Sequence, residues 1–420
     1  MKRIVIAGGG AAGFFAAMAC AEACSGVGQS VEVMVLEQGA AFLTKVRLSG
    51  GGRCNVTHAS PDARDLAAHY PRGGRALIGP FQRFGPQETA AWFRDRGVAL
   101  KTEPDGRMFP VTDSSLSIVD ALLRAARDAG VVLQTHCGVE HAAKQAGGGF
   151  DLTLSDGRSL ACDRLLLATG GCRSGAGGAA LARSLGHTVE PPVPSLFTFR
   201  IEAPWLRELA GVSVESIEVS VPGSKLRERG PLLVTHWGVS GPAILRLSAW
   251  GARTLHGLGY RFPLLVNWLP GRSQEEVAAE LQARGVSQPA GFVGKTPLRP
   301  LPGRLWEQLL IAAEVPSATR WGAFPRAALQ RLASQLVRTP FEVTNRSSNK
   351  AEFVTCGGVR LGEVDFKTLQ SRITPGLFFA GELLDIDGLT GGFNFQAAWT
   401  TGWIAGRAMA QGVTHFQGFA

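Results

Sequence analysis

The sequence predicts an α/β protein: a dinucleotide-binding Rossmann domain built from both ends of the chain and interrupted by an inserted domain. Three observations predict it. A glycine-rich turn lies between two β-branched runs at the N-terminus, Arg3-Ile-Val-Ile-Ala7 and Val31-Glu-Val-Met-Val-Leu36. An apolar run, Leu165-Leu-Leu-Ala168-Thr169-Gly170-Gly171, ends in small residues as a buried parallel strand does. A third such run, Gly376-Leu-Phe-Phe-Ala-Gly381-Glu382, follows only after a middle section of different texture.

The first turn reads Gly8-Gly-Gly10-Ala11-Ala12-Gly13, a Gly-x-Gly-x-x-Gly fingerprint opening an alanine-rich helix. Gly8 permits the tight turn, Gly10 lets the backbone approach a pyrophosphate, and Gly13 lets the helix pack close to the sheet. The helix N-terminus offers free N–H groups to phosphates. Glu37, at the end of the second strand, stands where ribose hydroxyls are hydrogen-bonded. A secretory signal is the rival reading, since Lys2 and Arg3 precede an uncharged stretch from residue 4 to 21. Four glycines between residues 4 and 13 make a poor membrane helix, and the stretch runs on into a strand ending in the expected acid. No other run approaches the ~20 apolar residues that span a bilayer. A cytoplasmic protein without a membrane segment is expected.

With 420 residues, 45% hydrophobic and 18% charged, the chain is globular and long enough for two or three domains. Seven cysteines without a Cys-x-x-Cys pair point to reduced thiols rather than a disulfide framework. The eight histidines are scattered, and no metal site is expected. The net charge is +9. Between residues 284 and 346, Arg284, Lys295, Arg299, Arg304, Arg320, Arg326, Arg331, Arg338 and Arg346 face only Glu307, Glu314 and Glu342. That excess is either a solvated surface or a docking face for a polyanion such as RNA.

Helices are expected around Pro86–Arg96 and Asp120–Ala129, and strands at Phe150–Leu154 and Ser159–Cys162 about an Asp156-Gly157 hairpin. Pro191-Pro192-x-Pro194 marks a boundary. The expected division is 1–192 with 352–420 as the nucleotide domain and 193–351 as the insertion, β-rich over 193–270 and 338–351 and helical over 271–337. An amphipathic helix is expected at Gln396–Ala410.

Three separated motifs agree on one cofactor, FAD. The N-terminal fingerprint takes its pyrophosphate, and Ala168, Thr169 and Gly170 let a nucleotide lie against a strand end. Gly381-Glu382, Asp385-x-Asp387-Gly388 and Gly391-Gly392-Phe393-Asn394 place carboxylates and a glycine turn before a helix start. In two-dinucleotide-domain flavoproteins that position holds the ribitol, and the helix start stabilises negative charge on the flavin. An NAD-only dehydrogenase needs no such third motif. No second fingerprint follows a strand, so NAD(P)H is expected only as a transient electron donor.

Ser49-Gly50-Gly51-Gly52-Arg53-Cys54-Asn55-Val-Thr57, Thr235-His236-Trp-Gly238-Val-Ser240-Gly241-Pro242 and the Ala380–Gln396 stretch resemble one bacterial flavoprotein family. It is the aminoacetone oxidase-like or bile-acid-reductase-like family, which includes a ribosomal RNA dihydrouridine synthase. The resemblance spans the chain and implies a glutathione-reductase-like FAD domain interrupted by a β-barrel-like and helical insertion. The segment after Gly171 is shorter than the long loop usual in the family.

Within these motifs, Ser49 to Asn55 is expected to wrap the flavin, with Arg53 meeting phosphate or flavin charge; a glycine-rich surface loop is the alternative. Cys54 is a candidate proton donor to a substrate carbon, against the reading of a small buried residue packed under the loop. His236 is a candidate acid or a residue that satisfies a turn. Lys45 and Arg47 reach phosphates or stay solvated. The function expected is an FAD-dependent oxidoreductase saturating an activated C=C bond, with a ribosomal RNA uridine as the favoured substrate. A small-molecule oxidase or enone reductase, and a flavin-carrying RNA-binding factor without turnover, are the alternatives.

Overall fold

The computed structural model describes residues 2–26, 30–171, 177–347 and 354–411. Residues 172–176 of the short segment after Gly171, and the expected rejoining point at 351/352, lie outside the described residues. The chain divides into two compact units, Met1–Val193 with Val354–Ala420, and Pro194–Phe353.

The first unit is built on a seven-stranded sheet with β1 (Lys2–Ala7) inside it. From one edge the strands run Val364–Asp365, Gln370–Ser371, Leu377–Phe379, Arg164–Leu167, β1, β2 (Val31–Leu36) and Val132–Gln134. The five from Leu377–Phe379 to Val132–Gln134 are parallel, with Val5 opposite both Leu165 and Met34, and Leu166 opposite Phe378. Strands covered on both faces read as unbroken apolar runs, which is why they stand out in the sequence. Central placement of β1 assigns residues 4–21 to the fold and removes the signal-sequence alternative.

Helix α1 (Ala11–Ser25) lies against the C-terminal helix Phe393–Gln411 in a close crossing. A Cβ on Gly402 would sit 2.3 Å from the Ala12 carbonyl oxygen, and one on Gly406 would sit 2.2 Å from that of Ala16. Small residues on both sides let the two backbones touch. The C-terminal helix is therefore not amphipathic, as its sequence suggests, but buried nearly all round. Its polar residues are satisfied inside: Thr57 Oγ1 donates to Gln396 Oε1 (2.5 Å), Gln396 Nε2 to Thr400 Oγ1 (3.0 Å), and Thr400 Oγ1 to the Phe84 carbonyl (2.7 Å).

The second unit holds a closed barrel of six strands: Phe199–Ile201, Gly238–Ser240, Arg227–Thr235, Ser213–Ser220, Phe262–Asn267 and Thr339–Arg346. Helices Gln274–Ser287, Gly303–Ala312 and Arg326–Arg338 follow in the same core. Trp268, Trp306 and Trp321 are buried there, and each indole N–H is spent, on Thr339 Oγ1 (2.7 Å), the Val293 carbonyl (2.8 Å) and Thr296 Oγ1 (2.7 Å). Gly238–Ser240 is a short barrel strand that runs through Gly241 into the helix Pro242–Trp250.

Candidate functional site

The site forms where three separated stretches of the first unit end beside one another. A Cβ on Gly8 would lie 2.4 Å from the Ala168 carbonyl oxygen, so the glycine turn presses on the end of strand Arg164–Leu167. A Cβ on Gly13 would meet the Gly8 oxygen at 2.0 Å, which seats the first turn of α1 on that loop. Gly381 abuts the same helix start, since its Cβ would lie 2.9 Å from that of Ala12. Gly10 alone among these faces open space, with no atom within 4 Å of an added Cβ. Helix α1 begins with no capping side chain and no acid in its first turn. Its leading N–H groups and positive end are thus left for an anion. Gly8, Gly10, Ala11, Ala12 and Gly13 form a cradle that fits a pyrophosphate.

Glu37 closes one side of the cradle. Its carboxylate accepts from the Gly9 N–H and the Gly39 N–H, both at 2.8 Å, and stays only half-buried. The opposite side is made by Thr169 and Gly170, Lys45 and Glu382. A Cβ on Gly170 would lie 3.9 Å from both Lys45 Nζ and Glu382 Oε2, which pair with each other. Lys45 remains largely exposed. These residues bring an exposed cation, a carboxylate and two strand ends to one place, the donor set a dinucleotide requires.

Gly50, Gly51 and Gly52 carry φ of 57, 66 and 86°, left-handed backbone that side chains strain. Gly51 and Gly52 face open space, while Ser49 turns back to the Val46 carbonyl (2.9 Å). The loop is pinned from below. With its amide oriented to satisfy its neighbours, Asn55 donates to the Thr57 carbonyl (3.0 Å) and accepts from the Gly392 N–H (3.0 Å). Asn55 therefore ties the Ser49–Gly52 loop to the C-terminal turn 391–392 instead of reaching outward.

The expectations for five residues change here. Arg53 is not free to meet cofactor charge: its guanidinium bonds Glu103 (2.8 Å) and Asp113 (3.3 Å) and lies over the Phe109 ring. Asp387 is fully buried and paired with Arg72, so it braces the turn and offers no surface to a ligand. Phe393 and Asn394 also act inward. Phe393 stacks against both His58 (4.7 Å) and His69 (4.4 Å), and Asn394 rings the turn through the Gly388 N–H (2.8 Å) and carbonyl (3.0 Å). Cys54 is wholly buried, and burial pushes its thiol up to about 12, which matches the packing alternative and not an accessible acid.

His236 belongs to the second unit, exposed in the turn between barrel strands Arg227–Thr235 and Gly238–Ser240. Sequence reasoning missed His58, His69, Tyr70 and Arg72, which clamp the C-terminal turn. His58 Nδ1 lies 3.2 Å from the Gly391 carbonyl, and Tyr70 OH donates to that of Phe393 at 2.5 Å. A buried acid in the apolar stretch Leu383–Leu389 does signal a hidden cation. Its partner lies 315 residues away and cannot be found locally.

Comparison with known proteins agrees with this geometry. The chain matches the HI0933-like protein Rossmann domain over residues 2–408. It is 33% identical to the 3-dehydro-bile acid delta(4,6)-reductase of Clostridium scindens, over 98% of this chain and 100% of that protein. It is 30% identical to the ribosomal RNA dihydrouridine synthase of Escherichia coli, over 95% and 96%. Among solved structures, the 3-ketosteroid-delta4-(5alpha)-dehydrogenase of Rhodococcus jostii shares the fold, with a TM-score of 0.50, 16% identity and 97% of each chain covered.

Proposed function

The chain belongs to the HI0933-like family and is an FAD-dependent oxidoreductase, and from that premise we propose that it saturates a ring C=C bond conjugated to a carbonyl. The observation that carries this reading is the agreement of two relatives. A delta(4,6)-reductase and a dihydrouridine synthase differ in substrate, yet both names describe reduction of such a bond. The substrate we favour is a uridine in ribosomal RNA, with NAD(P)H as donor: uridine, NAD(P)H and a proton give dihydrouridine and NAD(P)+. The net charge of +9 supports a polyanionic substrate. A second reading, a steroid-like enone, is favoured by the bile-acid reductase relative.

Bound FAD supplies the two electrons. The protein's own residues bind and orient it. The α1 N-terminus with Gly10 holds the pyrophosphate, Glu37 the adenosine ribose, and Lys45 with Glu382 the middle of the molecule. The Gly50–Gly52 loop and the turn at 391–392 are the proposed flavin supports. Among the described residues no helix is long and apolar enough to cross a membrane.

Mass mapping of ribosomal RNA from a deletion strain tests the substrate. The expected result is loss of one dihydrouridine, restored by the wild-type gene. An unchanged dihydrouridine profile removes the RNA substrate and leaves the enone.

A further inference from the structure

The stretch from 284 to 346 sorts its nine cations in a way the sequence does not show. Arg284 donates to the Thr296 carbonyl (2.8 Å) and lies 3.6 Å from Glu280. Arg331 donates to the Ala313 carbonyl (3.0 Å), and Arg304 bonds that of Glu208. These three are committed within the fold. Lys295 and Arg320 are different: both are exposed, and among the described residues neither forms an ion pair. Both instead flank one ring, that of Phe292, with Arg320 5.6 Å and Lys295 6.0 Å from its centre.

Phe292 is a large apolar side chain left 38% exposed beside two cations. Its base is rigid. Phe292 and Arg320 face each other across an antiparallel bridge, Val293 N–H donates to the Thr319 carbonyl (2.9 Å), and Trp321 N–H to that of Gly291 (3.0 Å). Trp306 and Trp321 lie buried beneath, and Trp306 donates to the Val293 carbonyl. A solvated charge run needs no aromatic ring, and a ring kept for the core would be buried. A ring held on a rigid ribbon between unpaired cations is what stacks an unpaired base while the cations meet its flanking phosphates.

We propose that Phe292, Lys295 and Arg320 form a stacking platform for a single-stranded nucleobase and its adjoining phosphates. This rests on the RNA reading above and adds the surface that would hold that RNA. The probe is a short fluorescein-labelled single-stranded RNA, its affinity for the full-length FAD-loaded protein followed by anisotropy across a salt series. Phe292→Leu keeps the bulk and removes the π face, and is expected to weaken binding about tenfold with little change in the salt slope. Phe292→Trp restores affinity. A Lys295→Gln, Arg320→Gln double variant lowers the slope of log Kd against log salt by about one to two. Flavin content, read in every variant by absorbance, stays at the wild-type level. Wild-type RNA affinity in Phe292→Leu overturns the platform and leaves the RNA reading standing. Failure of the wild-type protein to bind the RNA at all overturns both.

Discussion

A thiol held near 12 by burial stays protonated across the physiological range, and at Cys54 it has no route to a substrate. Its φ of 60° and the bond from its N–H to the Ser49 carbonyl (3.0 Å) show instead a residue that shapes the loop. Cys54→Ala is accordingly expected to leave product formed per bound flavin within about threefold of wild type. A loss near the 10²–10⁴-fold typical of a missing general acid would return Cys54 to the chemistry. Glu37 carries the opposite expectation. It holds two loop N–H groups and is the proposed ribose ligand, so Glu37→Ala is expected to raise the FAD Kd about tenfold to a hundredfold. Equilibrium dialysis of the apoprotein with FAD measures this. The place of Glu37 at the end of β2, beside the glycine turn, was legible in the sequence because it follows from spacing along one short stretch. The commitments of Arg53 to Glu103 and Asp113 were not, since an arginine beside three glycines looks the same whether its charge is already met or free.

Elements carry the next level. The crossing of α1 with the C-terminal helix depends on Gly402 and Gly406, whose missing Cβ atoms would collide with backbone oxygens that cannot swing aside. Gly402→Ala is expected to cost about 1–3 kcal/mol in denaturant unfolding. It should also loosen FAD, because the helix displaced is the one that starts at the pyrophosphate cradle. The sequence shows both helices yet hides their contact, since composition alone cannot say which small residues face each other. The stacked His58, Phe393 and His69 anchor the start of the C-terminal helix in the same non-local way. Burial holds the His58 imidazole below its ordinary value, with the Gly391 carbonyl opposing, Asp105 also raising it, and His69 and Arg107 lowering it further. Burial likewise lowers His187, against the opposing pull of Glu363. Both groups favour the neutral form when folded. Below an ordinary histidine value of about 6.5 the unfolded chain binds more protons, so stability falls as pH drops, until the depressed folded values are passed. Chemical denaturation from pH 7.5 to pH 5 should show that decline, and His58→Gln should flatten part of it. A slope unchanged by His58→Gln would contradict the placement of that ring.

At the scale of the whole molecule, the parallel sheet joins distant segments. Strand Leu377–Phe379 lies beside Arg164–Leu167, which lies beside β1, so Gly381 reaches Ala12 although most of the chain separates them. Strand character and glycine turns made those three strands readable one by one, whereas their order in the sheet came from the structure. The barrel's closure was less readable, because its strands pair by register across long connections such as that from Phe262–Asn267 to Thr339–Arg346. The basic excess of the second unit was readable only as a total, and its division into committed and unpaired cations needed coordinates.

We propose that this flavoprotein spends its electrons on the conjugated C=C bond of a uridine in RNA. A single-turnover reaction tests it most directly. The FAD-loaded protein is reduced without oxygen, mixed with ribosomal RNA lacking the modification, and followed by flavin absorbance with mass analysis of the nucleosides. Flavin is expected to reoxidise as dihydrouridine appears, one for one. Flavin that stays reduced with the RNA, yet reoxidises with a 3-oxo-4-ene steroid, would contradict it.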